Sequence, residues 1–331
     1  MMNIRKLRKE ECVGDINYNP VVIDGQDENV DDFFVKNRDE INGLVKDRGC
    51  VILKGFGIDS VEKYEKIFQD LGINLATEYR PGIAPRVSKS ASGKSFSSTE
   101  ASRYMSITPH NEMAYTNYRP SIVAFWCQLA PTKYGETPLF DCSKIDSKWF
   151  SPTIKMKRIF TKDKTAFDSN GNTDAGGSTW TGSFGTDDKH LVNKYCDDIG
   201  MNYEWFPGDK LVTTIETKQI IDGYLQLQTP LYGKDVYYYM RDRFPDRFDN
   251  EEYNKIVESE SFAPPIECDV NLNREQVYEF MDSVFAASVM PKWSTGDVWI
   301  IDNIKCGHAR MNVVGERSIV ASLANFIDVR D

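Results

Sequence analysis

The chain has only three histidines in 331 residues, His110, His190 and His308, so an imidazole-dependent site has very few candidates. It has no C-x-x-C pair. Its seven cysteines (Cys12, Cys50, Cys127, Cys142, Cys196, Cys268 and Cys306) are scattered. Their odd number suits a reducing, cytoplasmic compartment better than a disulfide framework or a cysteine-built zinc site. Basic charge is in deficit: 40 Lys and Arg stand against 50 Asp and Glu, for a net charge of −10. That argues against nucleic acid as a partner, because no cationic excess exists to release phosphate counterions. No stretch approaches the run of about eighteen apolar residues that a membrane span needs, so no membrane partner is expected. The N-terminal "MMNIRKLRKEEC" carries charge without the apolar run of a secretory signal. Internal repeats and low-complexity segments are also missing. What is present, 40% hydrophobic and 12% aromatic residues, is an ordinary globular composition with ample material for a core.

Periodicity organises the first third of the chain. "VDDFFVKNRDEINGLVKDRG" places Phe34, Ile41, Leu44 and Val45 at helical spacing and stops at Gly49. "CVILKGF" reads as a buried strand, and "SVEKYEKIFQDLGI" as an amphipathic helix with Ser60 as N-cap. A loop rich in Gly, Pro and Ser leads to "SITPHNEMAYTNYRP", followed by a central strand in "PSIVAFWCQLAP" and a shorter one after "GETP". Residues 151–233 change character and read as an insertion over the core, a lid in a chain that is otherwise one domain, 1–331. "KHLVNKYCDDIG" and "NREQVYEFMDSVFAASV" are helices. "GDVWIIDN" and "RSIVASLANFIDV" are closing strands, with "GHARMNVVGE" as a turn-like link. The sum is a mainly β fold with flanking helices.

Within "PHNE", His110 and Glu112 stand two apart, which in an extended segment puts both side chains on one face. The pair alone fits a polar strand face as well as a metal site. His308, after the polar end of a strand, is the better third ligand; His190 opens a surface helix and reads as solvated. Two histidines and one carboxylate would make a facial triad with open positions, suited to non-haem Fe(II) and O2 rather than to closed-shell zinc.

Several spaced segments then carry a family resemblance. "SSTEASRYMSITPHNEMAYTNYRPSIVAFWCQLAPTKYGETPLFD", "FGTDD", "EWFPGDKL" and "GDVWIIDNIKCGHARMNVVGER" resemble, in order, the taurine-dioxygenase superfamily of Fe(II)/2-oxoglutarate dioxygenases. Their nearest look is to its syringomycin-biosynthesis-like hydroxylases, where "S-T-E" precedes "H-N-E". The resemblance implies a double-stranded β-helix (jelly-roll) core and Fe(II), 2-oxoglutarate and O2 as cofactor and co-substrates. It implies His110, Glu112 and His308 as metal ligands, Arg317 as partner of the distal 2-oxoglutarate carboxylate, and Thr137 as a helper to that carboxylate. Physically, a guanidinium forks onto a carboxylate and a hydroxyl adds one hydrogen bond.

Glu112 keeps the carboxylate that halogenating relatives lack, which argues against halogenation. Ala321 stands where the taurine enzyme has a second arginine, which argues against a sulfonate substrate. Arg310, Arg103 and Arg86 are candidates for a substrate carboxylate, and an amino-acid-like small molecule of specialised metabolism is the expected substrate. Hydroxylation of an unactivated C–H bond is the expected outcome, with oxidative cyclisation or desaturation as the alternative. From another class, a non-oxidative metal-binding protein or a zinc hydrolase on the same core stays open.

Overall fold

The computed structural model describes residues 2–25, 30–77, 88–98, 102–162, 179–259 and 266–330. Arg86, and Thr99 and Glu100 of the "S-T-E" segment, lie outside them, as do 163–178 of the expected insertion. Two sheets carry the core. The larger has seven strands in the order Asn3–Lys6, Val21–Asp24, Cys50–Lys54, Val298–Asp302, Tyr118–Leu129, Ser318–Asp328 and Phe96–Ser97. All neighbours are antiparallel except Val21–Asp24 with Cys50–Lys54. The smaller sheet runs Ser288–Val289, Leu139–Asp141, Cys306–Arg310 and Ile107–His110.

Strand alternation explains how both faces of the large sheet are covered. Val51, Leu53, Ala124, Trp126, Val298 and Ile300 point to one side, where Phe34, Ile41, Tyr64, Ile67 and Phe68 of the N-terminal helices cover them. Cys50, Ile52, Val123, Phe125, Trp299 and Ile301 point to the other, and meet Leu139, Val289 and Cys306 of the small sheet. A strand buried on both faces must be apolar throughout, which is why "CVILK" and "VWII" lack a polar phase. Behind the small sheet, Phe140 and Ala309 pack with Val277, Phe280, Met281 and Phe285 of the helix Arg274–Ala286. The result is a mixed sheet-and-helix architecture of the kind a double-stranded β-helix fold has. Among the described residues the two sheets remain separate rather than closing into one barrel.

A four-stranded sheet, Asn202–Phe206, Lys210–Lys218, Thr153–Phe160 and Glu267–Cys268, takes three of its strands from residues 151–233. It is tied to the core by Arg119, which is fully buried and donates to the Thr116 carbonyl at 2.9 Å and to Thr217 Oγ1 at 2.5 Å.

Two local expectations need correcting. The stretch 30–48 is two helices, Val30–Lys36 and Arg38–Arg48, parted at Asn37, whose backbone takes φ −108° and ψ 16° while its N–H and side-chain amide both donate to the Phe33 carbonyl. "GHARMNVVGE" is no mere turn. Cys306–Arg310 is a fully buried strand, recruited by Leu139–Asp141 on one side and Ile107–His110 on the other. Local sequence around Gly307 does not signal a strand; its partners make it one.

Gly49 ends the second helix in the left-handed region at φ 76°, as a C-terminal glycine should. Ser60 caps the third, Val61–Asp70, by accepting from Lys63 N at 3.3 Å. Phe68→Ala should cost about 3–5 kcal/mol, and Ser60→Ala about 1 kcal/mol, in urea unfolding. Equal costs would contradict the packing described.

Candidate metal centre and anion pocket

The smaller sheet brings His308 directly opposite His110, as Cα partners in antiparallel register, with ring centroids 4.4 Å apart. Glu112 is not on the strand. The strand ends at His110, and Glu112 begins a turn in which Met113 takes φ 57°. The same-face expectation for an extended H-x-E is therefore replaced by a turn that folds the carboxylate back toward both rings. Glu112 Oε2 lies 3.9 Å from Nε2 of His110 and 3.9 Å from Nε2 of His308. His110, Glu112 and His308 offer ligand atoms all within 4.8 Å of one another.

Buried asparagines hold that turn. Asn303, with no exposure, accepts from Glu112 N at 2.8 Å and donates to the Glu112 carbonyl at 2.9 Å and the Pro120 carbonyl at 2.8 Å. Asn111 donates to the Asn303 carbonyl at 2.6 Å and accepts from Leu227 N at 2.7 Å. The side chains flanking Asn111 in sequence are thus aimed by backbone bonds to two distant segments. Neither asparagine was singled out from the sequence. "DN" at a strand end reads as turn chemistry, and the partners of Asn303 are 183 and 191 positions away.

The donors fit a metal ion. Nδ1 of His110 sits 2.9 Å from the Thr108 carbonyl, which can only accept; that places the proton on Nδ1 and turns the Nε2 lone pair to the cluster. Bonds of about 2.1 Å span ligand atoms up to about 4.2 Å apart, which covers both carboxylate–imidazole separations. The Glu112 and His308 side chains are only 6% and 5% exposed, so the centre is largely shielded from water. His190 lies elsewhere, exposed near the start of the helix Lys189–Asp198, where its N–H bonds to Asp188.

One pocket contains the triad together with Thr137, Arg310 and Arg317, and is walled by Ile107, Phe125 and Ile319. Arg317 Nε donates to the Gly135 carbonyl at 3.0 Å, and its Nη2 to Thr137 Oγ1 at 3.2 Å. Trp293 Nε1 also donates to Thr137 Oγ1, at 3.1 Å. A hydroxyl that accepts twice keeps its own hydrogen for donation to a further acceptor. Gly135 is required at its site: φ is 73°, and a Cβ there would come within 3.2 Å of Arg317 and 3.0 Å of Pro131. Burial, with Arg310 nearby, pushes the Arg317 guanidinium down to about 9, still cationic at neutral pH.

Arg310, 8% exposed, uses Nη2 to hold the carbonyls of Ser102 at 2.7 Å and Met105 at 3.2 Å. Arg103 is exposed, its guanidinium 5.3 Å from the Tyr104 ring centroid, and is not among the residues lining this pocket. Ala321 is buried in the apolar layer between the sheets.

The chain is similar to several known proteins. Residues 19–148 match the family model described as taurine catabolism dioxygenase TauD, TfdA family. The dapdiamide synthesis protein DdaC of Enterobacter agglomerans is 26% identical over 310 residues, covering 90% of this chain and 88% of that protein. A clavaminate synthase-like protein of Arabidopsis thaliana is 23% identical over 289 residues, covering 86% and 83%. In fold, the chain resembles PvcB of Pseudomonas aeruginosa with a TM-score of 0.50 at 11% identity, over 98% of this chain and 91% of that one. The 2-His-1-carboxylate triad and the family match define an Fe(II)/2-oxoglutarate-dependent oxygenase. More particularly, residues 19–148 are similar to the TauD/TfdA family of these dioxygenases. No helix among the described residues is long and apolar enough to cross a membrane.

Asn303→Ala should weaken divalent-metal affinity by about 10- to 100-fold, read by anaerobic Co(II) titration of folded protein, and His190→Ala should leave it unchanged. A folded Asn303→Ala with wild-type affinity would contradict the clamp.

Proposed function

We propose that the protein hydroxylates an unactivated C–H bond of an amino-acid-like small molecule, with His110, Glu112 and His308 holding Fe(II) and Arg317 and Thr137 holding 2-oxoglutarate. The observation that carries this reading is a single pocket lined by three metal-ligating side chains together with a half-buried guanidinium and a hydroxyl donor. Bound iron, with 2-oxoglutarate and O2, would supply the oxidising power for hydrogen-atom removal, the co-substrate leaving as succinate and CO2.

The chain's own residues do the rest. His110, Glu112 and His308 would hold the ion, which with only three protein ligands could also bind a 2-oxo acid. Arg317 would fork onto the distal carboxylate of the co-substrate, and Thr137 would donate its remaining hydrogen to it. Phe125, Ile107 and Ile319 keep water from the centre, which strengthens these charge contacts and protects the reactive stage. No side chain is needed as a general base for hydrogen-atom removal.

The substrate class is supported by the names of the two relatives, which refer to dapdiamide synthesis and to clavaminate synthase likeness. The H-N-E form of the metal motif supports placing the chain with the syringomycin-biosynthesis-like hydroxylases. Desaturation or ring closure would follow from the same hydrogen removal if the substrate radical is diverted. We read the chain as one domain with residues 151–233 as a lid. Support comes from Arg119, whose hydrogen bonds join the inserted sheet to the central Tyr118–Leu129 strand.

The test is succinate release from 2-oxoglutarate under air with added Fe(II), across an amino-acid panel, with product mass read in parallel. A gain of one oxygen supports hydroxylation, and a loss of two hydrogens supports the desaturating or cyclising alternative. Absence of succinate together with zinc-supported turnover would establish the hydrolase instead. His308→Ala should lose both iron binding and turnover. Arg317→Ala should raise the KM for 2-oxoglutarate roughly 30- to 150-fold, the equivalent of losing about 2–3 kcal/mol of charged hydrogen bonding. A change confined to the substrate's KM would contradict its role.

A further inference from the structure

Behind the wall of the anion pocket lies a second set of charges that the reaction does not use. Glu136 sits between Gly135 and Thr137, the two residues that receive Arg317's hydrogen bonds. It is 6% exposed, and it does not line the pocket. Arg247 grips its carboxylate with both arms, Nη1 to Oε2 at 2.7 Å and Nη2 to Oε1 at 3.2 Å. The two side chains are 10% and 7% exposed, so the pair is effectively desolvated. The Arg247 guanidinium also lies over the Tyr134 ring, 4.4 Å from its centroid. Its backbone carbonyl accepts from Asn312 Nδ2 at 3.0 Å and from Asn250 Nδ2 at 3.2 Å. Arg247 comes from the short helix Pro245–Phe248, far in sequence from everything else at this site.

The electrostatic consequence is specific. Among the described residues lining the pocket the only carboxylate is Glu112. Glu136 is nevertheless near enough to act on Arg317, opposing the effect of Arg310 on the same guanidinium. An uncompensated Glu136 would place a buried negative charge next to the cation that must receive an incoming dicarboxylate. In a low-dielectric wall such a charge is felt far more strongly than in water.

We propose that Arg247 is a positioning residue for the co-substrate: by neutralising Glu136 it keeps Arg317 available to an anionic ligand. This rests on the co-substrate reading given above. A purely mechanical role, in which the ion pair only docks the 245–250 segment, predicts a different pattern among variants. Charge neutralisation predicts that removing Glu136's charge repairs the loss of Arg247, whereas docking predicts that it does not.

The experiment is calorimetric titration of 2-oxoglutarate into anaerobic Fe(II)-loaded protein, with iron affinity and thermal melting measured for each variant. Arg247→Ala should weaken 2-oxoglutarate binding by at least about tenfold, the scale expected for one partner of a buried charge pair. Arg247→Ala combined with Glu136→Gln should return to within about threefold of wild type by the same reasoning, with iron affinity unchanged throughout. If Arg247→Ala does not fold, Arg247→Gln, which keeps bulk over Tyr134, carries the same expectations. Wild-type affinity in the single variant, or equal weakness in the single and double variants, would overturn the proposal. Wild-type protein that takes iron but no 2-oxoglutarate would overturn the co-substrate reading itself, and this inference with it. The wild-type titration tells the two failures apart.

Discussion

The antiparallel pairing of Cys306–Arg310 with Ile107–His110 is the constraint on which the rest of the centre depends. It places His308 opposite His110, two residues nearly 200 positions apart, and leaves only the carboxylate to be delivered. Asn303 delivers it, because its three bonds fix the turn on which Glu112 sits. A strand alone points alternate residues to one face but does not set how far a side chain reaches. The turn with Met113 at φ 57° does, and the buried asparagines that hold it offset the cost of that backbone. Metal geometry is therefore a property of backbone hydrogen bonding as much as of the ligands themselves.

Charge organises the other side of the pocket. Arg310, buried, and Arg317, half-buried, are two cations lining one pocket, and Arg310 disfavours the charged form of Arg317 until an anion arrives. Arg310 spends part of its donor capacity on the carbonyls of Ser102 and Met105, and Arg317 on those of Gly135 and Thr137's hydroxyl. What these bonds fix is orientation. The guanidiniums are set before any ligand binds, so little side-chain entropy is lost on binding. The nearby Glu136–Arg247 pair adds a compensated charge just outside the wall, where a lone one would compete with the ligand.

Much of this was legible in the chain itself. The apolar phases of "CVILK", "PSIVAFWCQL" and "VWII", the capped helix after Ser60 and the helix Arg274–Ala286 follow from local pattern. The scarcity of histidine made His308 the natural partner of His110 and Glu112. The missing parts are those whose signal is tertiary. The strand around His308 exists because two other strands flank it, not because "CGHAR" favours extension. Asn303, Asn111 and Arg247 act through atoms far away in sequence, and a lone asparagine or arginine carries no sign of such a partner. The break at Asn37 lies in the backbone angles of one residue, which helical periodicity does not register.

The most direct measurement of the central claim is the visible absorption of the Fe(II)-loaded protein as 2-oxoglutarate is added without oxygen. A 2-oxo acid that chelates Fe(II) through its keto and carboxylate oxygens gives a charge-transfer band that the separate components lack. The account predicts a saturable band in the wild-type protein, lost in His308→Ala and reached only at much higher 2-oxoglutarate in Arg317→Ala. Iron bound at wild-type stoichiometry with no band at any 2-oxoglutarate concentration would contradict it.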